Sequence, residues 1–212
     1  MDMAGNMGLI VKKSFPNATL VIDRFHVQKL ALEALQEIRI KHRWEALDAE
    51  NDAIESARNR SLKYTPELLA NGDTLKQLLA RSRYLLYKPS NKWTENQSER
   101  AKILFDSYPD LEKAYKLCQN LSWIFNNTKD KASALVRLAK WDEKVRQAAF
   151  RSFNTISRTM SIHYKNILNY FDNRSTNASA ESFNAKIKAF RAQFRGVRNI
   201  EFFLFRLSNI FA

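Results

Sequence analysis

From Val27 the apolar positions Val27, Leu30, Ala31, Ala34, Leu35 and Ile38 recur at i, i+3, i+4, i+7, i+8 and i+11. That spacing is the one-sided stripe of an amphipathic helix. A second stripe, Leu111, Ala114, Tyr115, Cys118, Leu121 and Phe125, predicts a buried helix that begins near Pro109, a residue suited to a first helical turn. Thr94 with Gln97 three residues on has the form of a capping box, and Thr65-Pro66-Glu67 reads as the start of a helix that Asn71-Gly72 ends. Between Pro109 and Gly196 there is neither proline nor glycine, so the polar clusters Asn126-Asn127-Thr128 and Asp172 to Asn177 punctuate the helices. Late in the chain, with Asn177 as N-cap, Phe183, Ile187, Phe190 and Phe194 share one helical face. Glu181, Asn184, Lys188 and Arg191 share another.

One segment breaks the helical pattern. Residues 17–23, NATLVID, are β-branched and apolar, follow Pro16 and end at Asp23, which predicts a strand, with the helix from Val27 packed on its sheet. A lone strand leaves its backbone donors and acceptors unpaired. Residues 1–3, MDM, read as the end of a second strand, and the simplest account is the C-terminal part of a larger α/β protein. The expected fold is therefore mostly α with a minor β component.

Composition narrows the function. The chain has 212 residues with 45% apolar side chains, enough for a folded core, and a formal charge of +13. The last 62 residues hold ten basic and three acidic side chains, so the positive charge concentrates toward the C-terminus. An excess of this sign points to a polyanionic partner. Cys118 is the only cysteine, which rules out a disulfide framework and a thiolate zinc site and fits a reducing compartment. No apolar run reaches the roughly 18 residues of a membrane span, and no signal peptide is legible, so a cytoplasmic protein is expected.

One carboxylate stands out against that charge. In residues 174–199, Glu181 sits among Arg174, Lys186, Lys188, Arg191, Arg195 and Arg198, although a carboxylate repels the phosphates that these cations attract. Magnesium sites in phosphoryl-transfer enzymes use one or two carboxylates with waters and phosphate oxygens, which gives such a charge a purpose. The structural alternative is stabilisation of a helix N-terminus. Asp2, and Asp23 with His26 in DRFH, lie at the ends of the two apolar segments, where open α/β sheets form their sites. Their structural alternatives are a terminal residue, a helix N-cap and a partly buried histidine.

FPNATLVIDRFHVQKLALEALQEIR, followed at long range by NASAESFNAKIKAFRAQFRGVRNIEFFLFRL, resembles bacterial insertion-sequence transposases of the DDE class, specifically the ISL-three-type group. The pairing of Asp-x-Phe-His with a late Glu-x-x-Asn-x-x-Ile-Lys helix and an Arg-Gly-Val-Arg-Asn turn carries the likeness. The resemblance implies a truncated RNase H-like α/β core interrupted by a large all-helical insertion: residues 1–44 as partial core, 45–172 as insertion, 173–212 as core helices bearing the glutamate. It implies Asp2 and Glu181 as catalytic, metal-holding residues that approach each other in space, with Asp23, His26 and Asn184 in support. Lys186, Lys188, Arg191, Arg195 and Arg198 become the DNA contacts. It further implies two Mg2+ or Mn2+ ions, DNA (transposon ends and target) as partner, a homo-oligomeric form and a nucleoid-associated protein in a bacterial cytoplasm. The first aspartate of the family's site has no counterpart here, so the chain is expected to be inactive alone. The competing reading is a non-enzymatic basic helical module that binds nucleic acid.

Overall fold

The computed structural model describes residues 5–176, 178–194, 196 and 198–211, with only the backbone described at 5–7, 179, 180 and 211. Among these residues there are ten α-helices: α1 (Gly5–Ser14), α2 (Arg24–Asn59), α3 (Leu75–Arg81), α4 (Glu95–Ser107), α5 (Pro109–Asn127), α6 (Lys131–Ala148), α7 (Arg151–Leu168), α8 (Tyr170–Asn173), α9 (Ala178–Gln193) and α10 (Ile200–Phe211). Two short 3-10 turns, Leu85–Tyr87 and Ser90–Lys92, lie between α3 and α4. No helix of the described residues is long and apolar enough to cross a membrane.

No strand occurs among the described residues, which corrects the expected minor β component and the RNase H-like α/β core. Residues 18–23 run in a non-helical path, and the backbone that a sheet would have satisfied is satisfied by a helix end instead. The Ile22 N–H donates to the Asn166 carbonyl (3.0 Å), one of the last four of α7, which have no partner inside their own helix. The Asn169 Nδ2 donates to the Leu20 carbonyl at 2.8 Å. Ile22 is buried in the helical core and Asp23 is buried beside it. Ile22 thus plugs into the helical core with Val21 at its margin, and α2 packs on α3, α5 and α7 rather than on a sheet. Residues 1–3 lie outside the described residues.

Asn169 is the hinge of this arrangement, because its Oδ1 also accepts from Lys131 Nζ at 2.6 Å. Asn169→Ala is expected to cost about 1–2 kcal/mol, the order of losing a part-buried hydrogen bond. Native-state hydrogen exchange should show faster exchange at the Ile22 amide. Unchanged exchange there would remove the anchoring role.

The helical stripes read from the sequence are where the core forms. On α2, Val27, Ala31, Ala34 and Leu35 are buried, with Leu30 and Ile38 packed against the core from its margin. On α5, all six residues of the second stripe are buried, joined by Leu117 and Ile124. The α5 helix is central: it packs on α2, α4 and α6, and α6 packs on α7. Trp141 of α6 is fully buried and its Nε1 donates to the Leu117 carbonyl of α5 at 2.9 Å. Cys118 donates to the Ala31 carbonyl from the same interface, and burial pushes its thiol far above the ordinary range, so it packs rather than reacts.

The Thr94–Gln97 capping box forms with both reciprocal bonds (3.2 and 3.3 Å), and Pro109 opens α5. The helix expected from Thr65 does not form. With Pro66 at one end and Asn71-Gly72 at the other it would be little more than one turn, too short to offset its nucleation. A turn closes instead, with the Gly72 N–H on the Leu69 carbonyl and the Leu69 N–H on the Asp73 carbonyl, both at 2.8 Å. Gly72 has φ +77, a left-handed value that favours glycine. A capping box absent from the sequence reading, Thr74 with Gln77, then opens α3.

Candidate nucleic-acid interface

The stretch that carries the charge begins where α8 ends. Arg174 adopts a left-handed conformation (φ 52), and its guanidinium reaches back to the end of α5, donating to the Thr128 carbonyl at 2.6 Å and the Asn126 carbonyl at 3.4 Å. Arg24, the second residue of DRFH, donates to Asn126 Oδ1 at 2.7 Å. Arg137 of α6 donates to Thr128 Oγ1 at 2.9 Å and stacks over the Trp123 ring at 4.9 Å. Three cations from distant parts of the chain therefore converge on the turn after α5. A helix C-terminus has unpaired carbonyls and the negative end of its dipole, and both favour guanidinium groups.

Beyond Arg174, α9 presents its polar side to solvent. Glu181, Asn184, Lys186, Lys188 and Arg191 are exposed, and so is Arg198 beyond the helix. On the opposite side Phe190 is buried, its ring centroid 4.5 Å from that of Phe194 and 5.5 Å from that of Phe203 in α10. Of the predicted apolar face, Ile187 and Phe194 are half-buried and Phe183 is 45% exposed. Gly196 turns the chain between α9 and α10 with φ +96, where a β-carbon would meet no atom but would strain the backbone.

Glu181 stands in the first turn of α9 and makes no ion pair with a described residue. Asp23 is the N-cap of α2: its Oδ1 accepts from the Phe25 N–H at 2.9 Å. The His26 ring is half-buried and meets Phe25 edge-on at 5.8 Å. Asp2 and Arg195 lie outside the described residues, as does the expected N-cap Asn177. Among the described residues no group of three or more His, Cys, Asp or Glu side chains could hold a metal ion. With no ion pair to a described residue and open to solvent, Glu181 presents oxygen donors of the kind that hard divalent cations take.

A family model described as a transposase, the ISL3-type DDE model, matches residues 1–207. The chain belongs to the ISL3-type DDE transposase family. No curated protein matches the chain, and no solved structure matches it. Transposases act on DNA, and those of the DDE class use divalent metal ions, which gives the charge asymmetry of this transposase a partner. The sequence reading of the transposase missed the convergence of Arg24, Arg137 and Arg174. Asn126-Asn127-Thr128 was legible only as helix punctuation, and nothing in its spacing to those arginines, from 9 to 102 residues away, signals a meeting point.

Proposed function

We propose that this transposase cleaves and joins DNA strands by metal-dependent phosphoryl transfer, with Glu181 as one metal-holding carboxylate and Asp2 as another. Lys186, Lys188 and Arg191 on α9, with Arg195 and Arg198 after it, hold the DNA backbone. The observation that carries this reading is a solvent-exposed carboxylate, without an ion-pair partner among the described residues, on the same polar face of α9 as Lys188 and Arg191. Residues 45–172 act as a helical platform separating the segments that bear Asp2 and Glu181.

Divalent ions at such a site supply neutralisation of charge on the phosphoryl oxygens and activation of the attacking oxygen. The residues of this chain contribute the rest. Glu181 offers a hard oxygen ligand. Lys186, Lys188 and Arg191 fix the backbone of the strand by charge-assisted contacts to phosphate. Asn184, one helical turn from Glu181, can donate a neutral hydrogen bond to a phosphate or to the carboxylate. The non-enzymatic alternative finds support in the position of Glu181, since a first-turn carboxylate is stabilised by the helix dipole without any metal.

DNA binding through these cations is electrostatic and weakly sequence-selective, because phosphate contacts carry no direct sequence information. With about five phosphate contacts, affinity for a duplex should fall by roughly two to three decades between 50 and 200 mM salt. Supercoiled DNA should be nicked only with Mg2+ or Mn2+ present, by a chain that carries the family's full set of carboxylates. Affinity insensitive to salt would remove the cationic interface, and nicking in chelator would remove the metal site.

A further inference from the structure

A cleft of about 550 Å³ opens between α2, α5 and the two 3-10 turns, bordered by Gln28, Tyr87, Asn91, Lys92, Gln119 and Trp123. We propose that it receives a single unpaired nucleobase of the DNA strand, an inference that rests on the DNA-binding reading above.

The lining is specific in kind. Among the described residues that border the cleft, there is one lysine and no carboxylate, while amides come from both walls. The Gln28 Nε2 is buried with no hydrogen-bond partner. The side chains of Asn91 and Gln119 make no hydrogen bond with a described residue either. A buried amide donor without a partner is destabilising, and an acceptor brought by a ligand relieves it. Amides carry a donor and an acceptor side by side, the same pairing that base edges present. In a duplex the Watson–Crick edge is already engaged, so a concave amide-lined cleft fits a base taken out of its pair.

Stacking is available at the same place. Trp123 borders the cleft and is 49% exposed. The Arg137 guanidinium covers one face of its ring and holds the indole in place, and Tyr87, also exposed, stands on the border with it. Base–aromatic stacking is tolerant of base identity, in keeping with a protein that handles varied DNA. The sugar–phosphate on either side of such a base would meet cations: Lys92 on the border, and Arg24 and Arg174, both hydrogen-bonded to the bordering Asn126. The volume lies within the usual range for sites that hold a small organic ligand. Arg174, the first cation of the charged stretch, is thus tied to the border of the cleft through Asn126.

The test uses a duplex with 2-aminopurine as a one-base bulge and the same duplex with that base paired. The wild-type chain should bind the bulged DNA about tenfold more tightly than the paired DNA, with the 2-aminopurine emission quenched on binding. Trp123→Ala should abolish the preference and the quenching while affinity for the paired duplex stays the same. Gln28→Leu, close in size and lacking the amide, should reduce the preference several-fold and carries the test if the tryptophan variant does not fold. Equal wild-type affinity for the two DNAs, or a Trp123→Ala loss of the same size on both, would overturn the cleft assignment and leave the electrostatic interface standing. Absence of wild-type binding to either DNA would overturn both.

Discussion

Glu181→Gln is expected to abolish strand cleavage while DNA affinity stays the same or rises slightly. Glutamine keeps the size of the side chain and most of its hydrogen-bonding capacity, but it removes the negative charge that a hard divalent cation requires of its ligands. Metal-assisted stabilisation of a phosphoryl transition state amounts to several kcal/mol. At about 1.36 kcal/mol per decade, losing it lowers the cleavage rate roughly a thousandfold or more. Binding moves the other way, because the exposed carboxylate repels the phosphates that Lys186, Lys188 and Arg191 attract. If Glu181 serves only the N-terminus of α9, the same substitution costs about 0.3–1 kcal/mol of stability and cleavage is near normal. Nicking of supercoiled DNA and duplex affinity, measured together in a chain with all of the family's carboxylates, separate the two. Nicking retained at the wild-type rate would sink the catalytic role.

The second large effect is on folding. Trp141→Ala should destabilise the protein by about 3–5 kcal/mol, the range for removing a large aromatic side chain from a packed core. Trp141 is 1% exposed and sits where α6 meets α5, the pairing through which α6 and α7 join the central helix. Its loss also removes the hydrogen bond that the indole donates to the Leu117 carbonyl at 2.9 Å, a smaller addition to the cavity term because that carbonyl lies inside α5, where the helix itself supplies a donor. For a chain of this length each kcal/mol lowers Tm by about 2–4 °C, so thermal melting should fall by roughly ten degrees. Trp141→Phe fills part of the space but lacks the indole donor, and should land between wild type and alanine. A Trp141→Ala protein that unfolds at the wild-type urea midpoint would mean that the α5–α6 contact is not part of the stable core.

Much of the helical architecture was determined by sequence alone, because amphipathic spacing and end signals are local properties. The Val27 and Leu111 stripes, the Thr94 capping box and Pro109 each depend on residues within a few turns of one another, and each stands in the structure as read. The family, too, was legible, in DRFH and the late glutamate helix, and the match over residues 1–207 agrees with it. Residues 17–23 show where local reading stops. Their β-branched, apolar character kept residues 18–23 out of a helix and buried Ile22, but what a non-helical backbone bonds to is a long-range matter. Here the partners are Asn166 and Asn169, well over a hundred positions away, and the end of a helix took the place of a neighbouring strand. The cluster of Arg24, Arg137 and Arg174 at the end of α5 was decided in the same way. So was the amide-lined cleft between α2 and α5, since each brings together side chains that no sequence period relates. Charge sign, helix faces and family motif are written in neighbouring residues. Which unsatisfied carbonyl finds which donor is settled only when the helices pack, because burial makes an unpaired polar group costly and any donor that the topology brings near will serve.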